Sequence, residues 1–251
     1  MLDNFHTPVY KAVMSDAPTP LQPQFLTEAD AASFPTGRKT PQILDAAQFV
    51  FFEQGFAGAS VDEIVQRAGV SKATLYKYFN DKEMLFSAVI ERVSLQQRRH
   101  LSEQIMHLPV AEALIETCRL TVKFMASPLA QDMFRVCVGE SGRFPHVANT
   151  FYESVIVTTS SQFSALFARG ENESVLTVAN KPVAARQLWD LCRSTFFYEM
   201  MFGLRKTLTR YEQHLVVQQA LMLFVCHHGT KAFNEEMKAK LDALVNELPA
   251  S

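Results

Sequence analysis

Glycine is scarce in this chain, 9 in 251 residues, and tryptophan occurs once. So little glycine leans toward helices over a turn-rich sandwich and excludes a collagen-like or low-complexity polymer. Cysteine is sparse as well: Cys118, Cys137, Cys192 and Cys226 lie far apart, each in an apolar segment. That excludes a disulfide framework and predicts buried, reduced thiols. No sign of charge dominates, with 24 Lys plus Arg against 26 Asp plus Glu and a net charge of −2. An all-over basic nucleic-acid binder is disfavoured, while local patches stay open. Long apolar runs are missing too. The richest, Leu215 to Cys226, is interrupted by Gln218 and Gln219 and is too short to cross a bilayer, so no membrane partner is expected. The opening MLDNFHTPVY has no basic segment followed by an apolar one, and the expectation is a cytoplasmic chain. No His-Glu-x-x-His, Gly-x-Ser-x-Gly, phosphate loop or dinucleotide fingerprint occurs, so the residues make no case for an enzyme, and no cofactor is expected. Cys226-His227-His228 invites a metal reading, but adjacent helical side chains point about 100° apart and do not converge, so no metal is expected either.

What is present is helical periodicity. Residues 1–36, with Pro8, Pro18, Pro20, Pro23 and Pro35, show no sustained period and read as a flexible extension. Thr40-Pro41 then opens a helix of about 41–54, with Ile43, Ala46, Ala47 and Val50 on one face and Gly55 as its stop. Ser60 and Glu63 form an expected capping box for a second helix over 60–68, ended by Gly69. Ser71 caps a third, running to about Tyr78. Two short helices joined by a glycine-containing turn make a helix-turn-helix. Asn80 or Asp81 caps a fourth, to about His100, with Met84, Leu85, Ala88 and Val89 as its stripe. Further helices are expected over 110–126, 129–141, 146–169, 182–204, 209–228 and 232–247, giving an all-α fold without repeats.

Between 71 and 82 the third helix and its surroundings carry Lys72, Thr74, Tyr76, Lys77, Tyr78 and Lys82, opposed by Asp81 alone. Duplex DNA calls for such a surface: cations to replace counterions, hydroxyls for phosphate oxygens, and a helix thin enough for the major groove. Residues 36–95 balance seven basic against seven acidic side chains, so positive potential must come from clustering and helix N-termini. Arg38 and Lys39, just before the first helix, read either as a basic arm for the minor groove or as a solvated pair.

The run AGVSKATLYKYFNDKEMLF at 68–86, preceded by GFAGASVDEIVQR at 55–67, resembles the DNA-binding domain of the TetR family of bacterial transcriptional regulators. The resemblance is continuous over about 45 residues. It implies an N-terminal helix-turn-helix domain over 37–82 and a helical ligand-binding and dimerisation domain over 83–251. By the same resemblance Thr74, Tyr76 and Lys77 approach bases or phosphates, Ser60 and Tyr78 bond phosphate, and Lys82 meets a flanking phosphate. A second run, FRVCVGESGRFPHVANTFYES at 134–154, is similar to the C-terminal domain of AefR-like members.

Eleven Phe follow residue 96. Phe124, Met133, Phe134, Cys137, Phe151, Phe163, Phe167, Trp189, Phe196 and Phe197, with Arg193 to orient a ligand, are the expected lining of an apolar pocket, against the alternative of an ordinary aromatic core. Glu140 and Arg143 are either further ligand-orienting groups or a plain i, i+3 pair. The helices 182–204, through Leu188, Leu191, Phe196, Met200 and Leu204, and 209–228 are expected to build a four-helix interface in a homodimer. Twofold symmetry then predicts a palindromic operator in double-stranded DNA, and the family resemblance with the candidate pocket implies a repressor released from it by a small apolar or amphipathic ligand. The rival is a small-molecule carrier that keeps the fold without binding an operator.

Overall fold

The computed structural model describes residues 37–105 and 107–246. The extension predicted over 1–36 lies outside them. Ile43, Ala46, Ala47 and Val50 are buried as their spacing predicts, joined by Leu44 and Phe51, and they pull α1 (Thr40–Gly58) onto the core with Pro41 in its first turn. Gly55 breaks α1 at φ 75°, ψ 167°, a conformation essentially restricted to glycine, so residues 56–58 form a separate helical turn. Helix α2 (Val61–Ala68) follows and ends on Gly69 in the left-handed conformation. Helix α3 (Lys72–Tyr78) buries Leu75, and α4 (Lys82–Ile105) begins where Asp81 Oδ1 accepts the Met84 N–H at 2.7 Å. The α4 stripe differs from expectation at one end. Met84 is 42% exposed, whereas Leu85, Phe86, Ala88, Val89, Ile90 and Val93 are buried.

The rest of the chain is α5 (Val110–Met125), α6 (Pro128–Glu140), α7 (Pro145–Phe151), a π-helical stretch (Tyr152–Val157), α8 (Thr158–Asn172), α9 (Lys181–Leu191), α10 (Phe197–Met201), α11 (Arg210–His228) and α12 (Lys231–Asn246). Among the described residues no strand forms, and the β-type pairing is confined to an isolated antiparallel bridge, Leu176 to Gly229. Helix α4 packs on α1 in one direction and on α5 and α7 in the other, while α11 lies against α5, α9 and α12. No helix among the described residues is long and apolar enough to cross a membrane.

Three expectations are corrected. The helix over 146–169 contains the π-helical stretch, which apolar spacing does not reveal; the Thr158 hydroxyl donates to Glu153 O five residues back, and Ser160 and Ser161 donate to carbonyls four back, competing with the regular ladder. The helix over 182–204 is broken at residues 192–196. The amides of Arg193 and Ser194 reach carbonyls only three residues back, on Asp190 and Leu191, which tightens the chain out of the α-helical ladder, and Phe196 and Phe197 just beyond are both buried. Arg135 of α6 caps the far end of α10, donating to the Met200 carbonyl at 2.9 Å and the Met201 carbonyl at 3.4 Å. Finally, Cys118, Cys137 and Cys192 are buried, but Cys226 is exposed, because Leu215, Gln219, Leu223 and Cys226 form an open face of α11.

Since the Gly55 conformation is closed to residues with a Cβ, Gly55→Ala is expected to destabilise the protein by about 1–3 kcal/mol in urea unfolding followed by helical circular dichroism. An unchanged midpoint and slope would show that the break carries no strain.

Candidate nucleic-acid interface

Two serines set the helix-turn-helix. Ser60 Oγ accepts the Asp62 N–H at 3.1 Å and starts α2; Ser71 Oγ accepts the Thr74 N–H at 3.1 Å and starts α3. The expected capping box at Ser60 does not form: Ser60 caps the amide of Asp62, one short of Glu63, and the Glu63 carboxylate accepts from the Gln54 amide at 2.7 Å. Glu63 is thereby turned toward α1. The corner closes where Gly69 N–H and Val70 N–H reach the carbonyls of Gln66 and Val65, and Leu75 and Phe79, fully buried, anchor α3 from beneath.

On the outer surface of this unit stand Lys72, Tyr76 and Lys77 of α3, with Thr74 half-buried beside them. Lys72 pairs with Asp62 across the two helices at 2.6 Å, and that carboxylate raises the lysine's pKa. The Thr74 hydroxyl lies 2.9 Å from Ser71 Oγ. Tyr78 is half-buried, its ring laid over the backbone of Gly37, where a Cβ would come 2.4 Å from the ring. Tyr78 thus ties the segment bearing Arg38 and Lys39 to the end of α3, a link with no signal in the sequence. Arg38 is exposed. Lys39 is drawn back toward α1, its ammonium donating to Gln42 Oε1 at 3.4 Å, while the Gln42 amide donates to Ala68 O at 2.6 Å.

Lys82 departs from the expected phosphate contact. Its ammonium points inward and donates to the carbonyls of Phe56, Ala57 and Ala59 at 2.8, 3.4 and 3.2 Å, above the Phe56 ring. Burial pulls its pKa below the ordinary lysine value, with the charges of Glu140 and Glu83 opposing.

The expected ligand-pocket residues form packed interior. Phe124, Met133, Phe134, Cys137, Phe151, Phe163, Phe167, Trp189, Phe196 and Phe197 are all buried. Phe134 meets Phe151 and Phe197 edge-on, and Phe167 stacks on Phe163 and Phe224. Burial pushes the Cys137 thiol up to about 12. Arg193 is tied to Asp190 and lies over the Phe197 ring. Three cavities lie elsewhere, with none of these expected pocket side chains in their walls. One, of about 650 Å³, is an open groove between α1, Arg67 and the start of α6. Two others, of about 260 and 470 Å³, flank the outer seam of α9 and α11.

A capped, glycine-cornered helix pair presenting lysines and hydroxyls on its outer helix defines a DNA-binding helix-turn-helix protein. Residues 43–89 match the family described as bacterial regulatory proteins, tetR family, and residues 112–230 match the C-terminal domain of AefR-like transcriptional repressors. The chain is 31% identical to the flavonoid-responsive regulator FrrA, covering 78% of this chain and 100% of that one at a TM-score of 0.65. It is 45% identical over 58 residues to the transcriptional activator FasR of Mycolicibacterium smegmatis, which is 23% of this chain and 26% of that protein. At 22% identity, the fold alone is shared with a TetR-family structure from Mesorhizobium loti, at a TM-score of 0.69 over 77% of this chain and 98% of that one. The chain belongs to the TetR family of bacterial regulatory proteins. It is a transcriptional regulator that binds DNA.

Because Lys82 caps three carbonyls, Lys82→Gln is expected to lower stability by about 1–3 kcal/mol in chemical unfolding. A variant of unchanged stability that lost only DNA affinity would return Lys82 to the phosphate.

Proposed function

We propose that the protein is a homodimeric regulator, a repressor released from a palindromic operator by a small apolar or amphipathic molecule. The observation that carries this reading is the outward face of α3, where Lys72, Tyr76 and Lys77 stand exposed on a helix fixed at its start by Ser71 and from beneath by Leu75 and Phe79. Thr74, Tyr76 and Lys77 are assigned to bases or phosphates of the major groove, with Lys72, Ser60 and Tyr78 to the backbone. Arg38, which is exposed, is assigned to an adjacent groove, and Lys39 joins it only by leaving Gln42.

The dimer rests on the open face of α11. Leu215 and Leu223 are 36% and 61% exposed, in line with Gln219 and Cys226, and Val183, Gln187, Asp190 and Ser194 of the α9 side stand exposed beside them. This differs from the face expected from sequence, because Leu188, Phe196 and Met200 are spent on the interior and Leu204 lies beyond α10. A seam of two leucines edged by polar groups suits an isologous contact.

The ligand-binding reading rests on the aromatic interior around Phe134, Phe151 and Phe197, and it is supported by the flavonoid responsiveness named for FrrA. A ligand entering there must displace packed rings, so it selects a conformation in which these helices have moved apart. Release follows only if that conformation spaces the α3 helices wrongly for the operator. Helix α4 is the lever, since it is packed in both halves.

Titration of duplex DNA across a salt series tests the interface: Lys77→Ala is expected to weaken binding and reduce the magnitude of the salt slope by about one. An unchanged slope would remove Lys77 from the phosphate contacts. For the dimer, Leu223→Arg is expected to sediment as a folded monomer, and a dimer that persists would move the interface elsewhere.

A further inference from the structure

The turn after Gly55 is a separate piece of helix with its own two ends. Its N-terminal side presents an amide, Ala57 N–H, that the rest of α1 cannot satisfy, because the chain direction has changed at Gly55. Glu140 Oε1, from the last residue of α6, accepts that amide at 2.8 Å. At the other end, Lys82 of α4 takes the carbonyls of Phe56, Ala57 and Ala59. An anion thus meets the positive end of the turn and a cation the negative end, the arrangement that helix dipoles favour. Between them the Phe56 ring is held edge-on by Phe86 of α4 and by Phe144, at 5.3 and 4.7 Å.

Glu140 occupies the wrong end of its own helix. A carboxylate on the last residue of α6 faces the negative end of that helix's dipole, so local preference does not place it there. Its bond to Ala57 does. Ser60, which starts the helix-turn-helix, follows the clamped turn immediately, so the attitude of α2 and α3 is fixed by where residues 56–59 are held. Glu140 and Phe144 are also the residues that bracket the α6–α7 turn of the C-terminal half.

We propose that Glu140 is a positioning residue, a latch by which the C-terminal half holds residues 56–59 and thereby orients the helix-turn-helix. The proposal rests on the DNA-binding reading only for its consequence on affinity. It predicts that a movement of the α6–α7 turn reaches α3 through this bond and the Phe144–Phe56 contact, in addition to any tilt of α4.

Hydrogen exchange of the full chain read by mass spectrometry, for the wild type, Glu140→Ala and Glu140→Asp, is the test. Asp keeps the charge but is one methylene too short for Ala57, and serves if the alanine variant does not fold. Both variants are expected to speed exchange at least tenfold at residues 56–59, with the increase spreading through α2, while α11 and α12 keep wild-type protection. Both are also expected to weaken duplex binding about tenfold. Faster exchange confined to 56–59, or no change there, would overturn the latch and leave Glu140 a local cap. If the wild type itself binds no duplex, the DNA reading fails while the exchange pattern still decides the latch.

Discussion

Everything in this molecule depends on α4 having to be buried on two sides. Leu85, Phe86, Ala88, Val89, Ile90 and Val93 occupy slightly more than half its circumference, more than one neighbouring helix can cover. Helix α1 takes one side and α5 with α7 takes the other, so the helix-turn-helix and the C-terminal helices share this element, and α1 also packs directly on α6. Phe86 makes the sharing concrete, standing edge-on to both Phe51 and Phe56 of α1. A protein built this way does not move its C-terminal half without stressing the attitude of α3.

The helix-turn-helix was almost fully legible in the sequence because its signals are local. Capping serines, a left-handed Gly69 and one-face spacing act within a few residues, and the structure places α2 and α3 where they point. The capping box at Ser60 was lost for a non-local reason: Gln54, nine residues away, competes for Glu63. Lys82 was misdirected in the same way. Its position beside a basic cluster predicts an outward ammonium, but three carbonyls exposed by the Gly55 break lie within its reach, and no pattern in the run 80–86 records them.

Legibility falls further in the C-terminal half. Apolar periodicity finds most of the helices, yet it merges α9 with α10 and passes over the π-helical stretch, since neither a tightened turn running into two buried phenylalanines nor an extra residue per turn alters the composition. The predicted pocket residues are buried together, as their chemistry demands, and the Phe134 ring meets those of Phe151 and Phe197 edge-on. Spacing identifies which side chains leave water and does not say whether a gap remains among them. The proposed dimer face shows the converse, for Leu188, predicted there on α9, is used inside and Leu223 on α11 is left outside.

The central claim is that the outward face of α3, presented twice by a symmetric dimer, reads duplex DNA. Selection from a random pool of duplexes tests it most directly. The account predicts a palindromic winner with half-site centres roughly 34–36 Å, one turn of DNA, apart or a multiple of it, bound with affinity that falls steeply as salt rises. A pool that shows no enrichment, or a winner without twofold symmetry, would contradict it.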